Sequence, residues 1–234
     1  MNKPTIVLVR PQLPENIGMI ARVMNNFSLK ELILVNPRQN WLNDKSINSA
    51  KKAINLINKV KIYDNLDQAL ENFTYVISTT NRSRYLNKNE TSDFSELNEI
   101  FKTSHKVAIL FGPENSGLSN DDLRLSNIIF SINTQNNSNS LNLSHAVAII
   151  CHKIFESSKP SIKRIKIKKS DFADKRQISK YLDFLFQSLS SKNFFVPPEK
   201  TKSMKNNIYN IYSKFPYTKK ELKTLWGITK KLIK

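Results

Sequence analysis

The sequence predicts an α/β fold in which a mostly parallel sheet is covered by helices on both faces. Short apolar runs rich in β-branched residues alternate with segments whose apolar residues recur every three or four positions. This alternation is typical of strands joined by crossover helices. With 234 residues, 39% of them apolar, the chain is long enough for one large domain and a smaller appendage.

The predicted elements follow one another along the first two thirds of the chain. Thr5–Arg10 is a β-branched run that ends at Pro11, and Glu15–Phe27 has an apolar stripe of helical period. The same reasoning predicts strands at Leu32–Val35, Val60–Tyr63, Tyr75–Thr79, Val107–Phe111 and Asn127–Ile132. It predicts helices at Ser46–Asn58 (with Ile47, Ala50, Ile54 and Ile57 on one stripe), Leu66–Leu70, Phe94–Phe101 and Leu141–Phe155.

A change of composition predicts a domain boundary. Residues 157–170 are basic and lack periodicity, so we expect a linker there, between a domain of residues 1–156 and a helical extension of residues 171–234. Within the extension, helices are expected at Phe172–Leu189, Thr201–Ser213 and Thr218–Ile233, the last two with their first threonine as N-cap.

The charge of the chain is uneven. Its net charge is +18, but residues 1–156 hold 17 Lys/Arg and 14 Asp/Glu, whereas residues 157–234 hold 20 and 5. A general lysine bias would raise basicity everywhere and does not explain this asymmetry. A basic part attached to a nearly neutral one is typical of a protein that binds nucleic acid.

Several other classes of protein are disfavoured. No apolar run approaches the ~18 residues of a membrane span, and the first residues, MNKPTIVLVRPQ, predict a strand rather than a signal peptide. The single cysteine, Cys151, excludes an intrachain disulfide and offers no metal cluster. We therefore expect a cytoplasmic protein with no membrane association and no metal.

Three short strings hold the candidate functional residues: Asn16–Arg22 (NIGMIAR), Gly112–Leu118 (GPENSGL) and Ser140–Val147 (SLNLSHAV). Each follows a predicted strand and leads from a loop into a helical pattern, so all three belong at the carboxyl edge of the sheet, where such folds bind ligands. Taken alone, the second string is typical of an ordinary strand-to-helix turn, and Ser140 of a helix N-cap. The ending G-K-[ST] of a phosphate loop and the G-x-G-x-x-G of a dinucleotide fold are both missing.

Together, the three strings resemble the signature motifs of the SpoU (TrmH-like) branch of the SPOUT RNA methyltransferases. This resemblance implies methyl transfer from S-adenosylmethionine to a ribose 2′-hydroxyl of RNA, a trefoil knot in the catalytic domain, and a homodimer. The catalytic residues that it implies are Asn16, Arg22, Glu114, Ser140 and Asn142. The donor-binding residues that it implies, mainly through backbone atoms, are Thr79, Thr80, Asn81, Gly112, Ile132, Asn139, Ser140 and Leu141.

Arginines are expected to contact the RNA. A guanidinium is a rigid fork for phosphate oxygens and a poor general base, so Arg22 either positions the ribose or also accepts its proton. Arg82 and Arg84, beyond the strand Tyr75–Thr79, are candidate phosphate contacts or a solvated basic loop.

Residues Phe172–Lys234 resemble the C-terminal extension of TrmJ-like enzymes, which methylate the ribose of nucleotide 32 in the tRNA anticodon loop. The resemblance therefore implies tRNA as substrate. Two alternatives stay open at this point: the same chemistry on ribosomal RNA or another tRNA position, and a knotted RNA-binding protein without catalytic activity.

Overall fold

The computed structural model describes residues 3–81, 88–135, 141–158 and 171–233. Its strands are β1 (Thr5–Val9), β2 (Leu32–Val35), β3 (Lys61–Tyr63), β4 (Tyr75–Thr79), β5 (Glu90–Thr91), β6 (Val107–Phe111) and β7 (Ile128–Phe130). Its helices are α1 (Pro14–Asn26), α2 (Asp44–Ala50), α3 (Ile54–Ile57), α4 (Leu66–Leu70), α5 (Phe94–Lys102), α6 (Asn120–Leu123), α7 (Leu143–Ser157), α8 (Lys175–Ser191), α9 (Thr201–Ser213) and α10 (Lys219–Ile233). Short 3₁₀ turns cover Lys51–Ala53 and Pro198–Lys200.

The strands of the described residues form one sheet in the order β3-β2-β1-β6-β4-β7-β5, and all neighbours are parallel. The central strand β1 pairs with β2 through Val7 and Ile33, and with β6 through Val7 and Leu110. All five of its residues are buried. The prediction of a parallel α/β sheet is confirmed. Strands covered on both faces need apolar side chains at nearly every position, which explains the apolar runs in the sequence.

Alternate side chains of the strands form two apolar layers. Ile6 and Leu8 of β1 pack with the buried stripes of α1, α5 and α7 on one face of the sheet. Val7 and Val9 pack on the other face with α4 and with Leu118 and Leu123 around α6. This division follows from the two-residue period of a strand, and it leaves the strand ends free to form a site.

The predicted helix Ser46–Asn58 was wrong as a single element. Asn43 caps α2 with a capping box, but α2 ends at Ala50 and Lys51 has a positive φ of 50°. The helical phase changes at this break, so Ile47 is 41% exposed although the predicted stripe placed it in the core. A periodicity in sequence does not reveal a local reversal of φ.

Three smaller predictions also need correction. The two-residue strand β5 was not predicted, and β7 is shorter than the predicted strand 127–132. Thr201 is not an N-cap, because the 3₁₀ turn before it leads directly into α9. Thr218, in contrast, accepts a hydrogen bond from the backbone N–H of Glu221 at the start of α10, as a capping threonine does.

The helices α8, α9 and α10 share an apolar cluster around Ile178, Tyr181 and Leu182. One attachment to the rest of the chain is the first turn of α8, where the backbone N–H groups of Lys175 and Arg176 donate to the carbonyls of Phe73 and Glu71, each at 2.9 Å. A second is the contact of α9 with α6, where Arg124 lies over the ring of Tyr209. None of the described helices is long and apolar enough to cross a membrane.

Two lysines are buried at the attachment of α8. Lys175 Nζ donates to Asn127 Oδ1 at 2.7 Å, and Lys88 Nζ donates to the carbonyl of Ser126 at 2.6 Å. Burial lowers the pKa of Lys175 to about 7. Burial, with the charges of Lys175 and Lys214, lowers the pKa of Lys88 to about 6. The folded chain therefore releases protons that the unfolded chain holds until about pH 10.

This proton release predicts how stability depends on pH. The free energy of unfolding should rise between about pH 7 and about pH 9, since the unfolded state binds more protons there. Lys175→Met should raise stability near pH 7 and flatten this rise, as measured by urea unfolding at several pH values. The exposed lysine variant Lys192→Met serves as control and should keep the wild-type slope. Equal slopes for all three proteins would contradict the prediction.

Candidate active site

The candidate site lies at the carboxyl edge of the sheet, where the chain leaves β1, β4, β6 and β7. The segment after β1 enters α1, the segment after β6 contains the second string, and α7 begins in the third string. Parallel strands bring these three segments, distant in sequence, to one edge.

Glu114 connects the second string to the first. Its Oε2 accepts a hydrogen bond from the backbone N–H of Gln12 at 2.9 Å, and its Oε1 accepts from the backbone N–H of Leu13 at 3.2 Å and from Asn16 Nδ2 at 2.9 Å. The N-cap of α1, Leu13, has no capping side chain of its own. Glu114 therefore places a carboxylate at the N-terminus of α1, where unpaired N–H groups and the helix dipole favour negative charge.

Asn16 extends the connection to the third string. Its side chain is 2% exposed, and its Oδ1 accepts a hydrogen bond from Asn142 Nδ2 at 3.3 Å. Asn142 in turn caps α7, since its Oδ1 accepts from the backbone N–H of Ser144 at 2.8 Å and from Ser144 Oγ at 2.7 Å. Glu114, Asn16 and Asn142 thus form one chain of hydrogen bonds through all three strings.

A cavity of about 280 Å³ opens beside these loops. Its walls come from the ends of β4, β6 and β7 and from the start of α7. The lining residues are Thr79, Thr80, Asn81, Phe111, Gly112, Pro113, Asn115, Gly117, Phe130, Ile132, Thr134, Leu141, Leu143 and Ala146. This set combines apolar walls with backbone and small polar groups, as ligand pockets do.

The loop after β6 requires glycine where it closes on itself. A Cβ at Gly112 would lie 2.3 Å from the carbonyl carbon of Gly117 and from the backbone nitrogen of Leu118. Gly117 has a φ of +67°, which residues with a side chain rarely adopt. The backbone N–H of Gly117 donates to the carbonyl of Pro113 at 2.9 Å. The loop is therefore a tight turn whose backbone faces the cavity.

An ion pair that the sequence did not reveal fixes α6, the helix that follows this loop. Arg10, at the end of β1, donates two hydrogen bonds to the carboxylate of Asp122 in α6. Burial alone would raise the pKa of Asp122, but the hydrogen bonds from Arg10 and Ser119 outweigh it and hold that pKa below its ordinary value. Asp122 also completes a capping box with Ser119. The only sequence signal was an acidic first turn after Ser119.

Six residues predicted to bind the donor line the cavity: Thr79, Thr80, Asn81, Gly112, Ile132 and Leu141. Two of them are also tied to neighbouring strands. Thr79 Oγ1 donates to the carbonyl of Leu110 at 2.8 Å, and the carbonyl of Thr80 accepts from Ser131 Oγ at 2.9 Å. The part of the wall that follows β4 is therefore held to the neighbouring strands by hydrogen bonds.

Arg22 lies apart from this group. It is exposed on α1, two turns beyond Asn16, and it is not among the lining residues of the cavity. Four further predicted residues, Arg82, Arg84, Asn139 and Ser140, lie outside the described residues. Within the described part of the chain, no group of three or more His, Cys, Asp or Glu residues could hold a metal ion.

Comparison with known proteins identifies the family of the chain. The model of the SpoU rRNA Methylase family matches residues 3–152. The chain belongs to this family. The match confirms the resemblance carried by the three strings, and it covers every strand of the sheet and all but the last five residues of α7.

Individual members of the SpoU family are similar over different lengths. TrmJ of Methanocaldococcus jannaschii, a tRNA (cytidine-2′-O-)-methyltransferase, is 30% identical over 154 residues, which are 64% of this chain and 66% of that protein. TrmJ of Pseudomonas aeruginosa, a tRNA (cytidine/uridine/adenosine-2′-O-)-methyltransferase, is 25% identical over 97% of this chain and 93% of its own length. The crystal structure of TrmJ from Z. mobilis superposes with a TM-score of 0.87 and 29% identity over 100% of both chains.

The hydrogen bonds of Glu114 predict the cost of losing its charge. Glu114→Gln keeps the shape of the side chain but replaces one carboxylate oxygen with an NH₂ group, so at least one N–H that donates to Glu114 would face another donor. We expect a loss of about 1–3 kcal/mol in the free energy of unfolding, measured by urea denaturation. The exposed carboxylate variant Glu90→Gln should cost less than about 0.5 kcal/mol. Equal small losses for the two variants would show that the cap of α1 does not depend on Glu114.

Proposed function

We propose that this chain transfers a methyl group from S-adenosylmethionine to a ribose 2′-hydroxyl of tRNA. The observation that carries the proposal is the chain of hydrogen bonds through Glu114, Asn16 and Asn142 beside one cavity at the carboxyl edge of the sheet. Membership of the SpoU family supports methyl transfer to RNA. The names of the TrmJ relatives support the ribose 2′-oxygen of tRNA as the acceptor.

The residues around the cavity fit the methyl donor. Apolar walls such as Phe111 and Leu141 suit a flat base and a methionine chain, and the backbone at Gly112 can approach a ligand closely. The described lining residues include no lysine or arginine, so no described cationic side chain of the wall repels a positively charged sulfonium. A volume of about 280 Å³ is close to the lower end of ligand pockets.

The reaction needs positioning more than acid–base strength. The ribose oxygen forms a bond to the methyl carbon while the bond from that carbon to sulfur breaks, so that sulfur leaves as a neutral thioether and the hydroxyl proton passes to solvent or to a nearby base. When the attacking oxygen and the leaving sulfur are held in line, orientation can lower the barrier by about 7–11 kcal/mol. In this proposal, the end of β4, held to its neighbours by hydrogen bonds, and α1, fixed by Glu114, hold the reacting groups in position.

The predicted catalytic residues divide into two roles under this proposal. Asn16, Glu114 and Asn142 fix the start of α1 and α7 beside the cavity. Arg22 binds the phosphate next to the target ribose and either orients the 2′-hydroxyl or also takes its proton. Its exposed position on α1 suits a side chain that meets RNA from solvent. Ser140 completes the catalytic set, and Asn139 completes the donor pocket.

The acceptor we propose is the ribose of cytidine or uridine 32 in the anticodon loop. The TrmJ relative from Pseudomonas aeruginosa matches nearly the whole chain, including the C-terminal helices. In this proposal residues 1–156 are the catalytic domain, residues 157–170 are a linker, and residues 171–234 bind tRNA. Arg82 and Arg84 add contacts to RNA phosphates in this proposal.

We also propose that the chain acts in the cytoplasm as a knotted homodimer. Support for a dimer comes from α1 and α7, which pack together and leave apolar side chains exposed: Leu13 is 39% exposed, and Met19 and Phe155 are each 44% exposed. Exposed apolar side chains along two packed helices favour a protein interface there. Arg22 lies on α1 and Asn142 caps α7, so a dimer through these helices would bring two sites together.

The direct test mixes the purified chain with labelled S-adenosylmethionine and undermodified total tRNA, and then maps the labelled nucleotide. Label on a ribose of the anticodon loop is the expected result. Label on ribosomal RNA in a parallel reaction, with none on tRNA, would move the acceptor to ribosomal RNA. Donor binding without transfer to any RNA would overturn the proposal in favour of an inactive RNA-binding protein.

Arg22→Lys tests the role of the guanidinium. The variant keeps the charge and loses the planar fork, so we expect methyl transfer to fall by about 10- to 100-fold. Donor affinity, measured by equilibrium dialysis, should stay unchanged, because Arg22 does not line the cavity. The exposed arginine variant Arg38→Lys is the matched control. Unreduced transfer by Arg22→Lys would remove Arg22 from the catalytic set.

A further inference from the structure

A groove between α8 and α10 combines apolar and positive character in a way that the packing of the three C-terminal helices does not require. Its lining residues are Gln177, Lys180, Lys219, Leu222, Lys223, Trp226, Gly227 and Lys230. Those on α10 recur every three or four positions, so they form one stripe along that helix. We call this feature the α8/α10 groove.

The floor of the α8/α10 groove is aromatic and fixed. Trp226 is stacked on Phe184 with ring centroids 5.1 Å apart and an interplanar angle of 8°, and it also contacts Tyr181 at 5.7 Å. Leu222 beside it is buried. Trp226 nevertheless stays partly exposed where it lines the groove. An indole held in this way offers a preformed surface for a planar group.

The rim of the groove is positive. The four lysines Lys180, Lys219, Lys223 and Lys230 are exposed, and none of them forms an ion pair with a described carboxylate. The three on α10 extend over about 16 Å of helix. Residues 171–234 as a whole hold 14 Lys/Arg and 5 Asp/Glu. The groove is therefore complementary to a polyanion.

Gly227 is the remaining unusual residue of the groove. It lies inside the 15-residue helix α10, where glycine costs about 1 kcal/mol relative to alanine. A Cβ added there would meet no atom within 4 Å, so packing within the described chain gives no reason for glycine. Its effect is to leave the helix backbone bare beside Trp226, which lets a ligand approach closely.

We propose that the α8/α10 groove binds single-stranded RNA, with an unpaired base packed against Trp226 and backbone phosphates paired with the lysines of the rim. Alternating aromatic and cationic contacts are the usual means of binding unpaired nucleotides. An acidic peptide would satisfy the lysines but would leave the bare aromatic floor without a planar partner. This inference rests on the proposed RNA substrate and assigns the part of the chain that holds it outside the cavity.

Tryptophan fluorescence tests the contact with a base. The chain has two tryptophans, so Trp41→Phe leaves Trp226 as the only one. Titration with an unstructured oligonucleotide of about ten nucleotides, a length that covers one such site, should quench the emission of Trp226. Unchanged emission at saturating RNA would overturn the proposal, as would quenching by a poly-glutamate peptide in place of RNA.

A charge-matched pair of double variants tests the rim. Lys223→Gln with Lys230→Gln should weaken RNA binding and reduce the slope of log affinity against log salt by about two, one for each phosphate contact. Lys220→Gln with Lys231→Gln removes two exposed lysines of the same helix that do not line the groove, and it should change both quantities less. Equal effects of the two pairs would reduce the groove to general electrostatic attraction and overturn the proposal.

Gly227→Gln separates binding from folding. The new side chain has open space and a higher helix propensity than glycine, so the melting temperature should stay or rise, while RNA affinity falls because the groove is filled. Unchanged RNA affinity would contradict the proposal. Methyl transfer by the wild-type chain is measured alongside. If the chain methylates tRNA and the groove variants have no effect on RNA affinity, the proposed role of the groove is wrong and the proposed reaction stands. If RNA binds through the groove but no methyl group is transferred, the proposed reaction is wrong and the role of the groove stands.

Discussion

The carboxylate of Glu114 is the contact on which the arrangement of the site depends. It lies in a loop after β6, yet it caps a helix that begins about a hundred residues earlier and whose own N-cap residue cannot do so. The same carboxylate orients Asn16 by accepting its amide N–H, and Asn16 in turn orients Asn142 by accepting a hydrogen bond from it. Glu114 accepts from donors of the first string's segment, and Asn16 accepts from Asn142, so the three segments cannot move independently without breaking these hydrogen bonds.

Much of the fold could be predicted from the sequence because its central strands are covered on both faces. In the run TIVLV every residue after Thr5 is apolar for that reason, and the strand was located to within one residue. The local sequence pattern did not predict features that depend on a single backbone angle or on a tertiary contact. The helix expected over Ser46–Asn58 breaks at Lys51, and β5 exists only through its pairing with β7.

The site divides in the same way. Its helix-starting strings could be recognised, and six of the predicted donor-binding residues line the cavity. The pair Arg10–Asp122 joins residues 112 positions apart, and no spacing rule connects them before the order of the strands is known. The proximity of Arg22 to Asn16 in sequence likewise did not predict that one is buried and the other exposed.

The helices α8–α10 are anchored at Phe73 and Asn127, immediately before β4 and β7, whereas the cavity lies where these strands end. The first turn of α8 and the cavity therefore lie at opposite ends of these strands, separated by about five residues of strand, or roughly 16 Å. A molecule that contacts both within one protomer has to span at least this distance. Under the proposed function, the overall size and tertiary shape of the tRNA then contribute to recognition, and a fragment cut from the anticodon loop would be a poor acceptor even with every base of the target present.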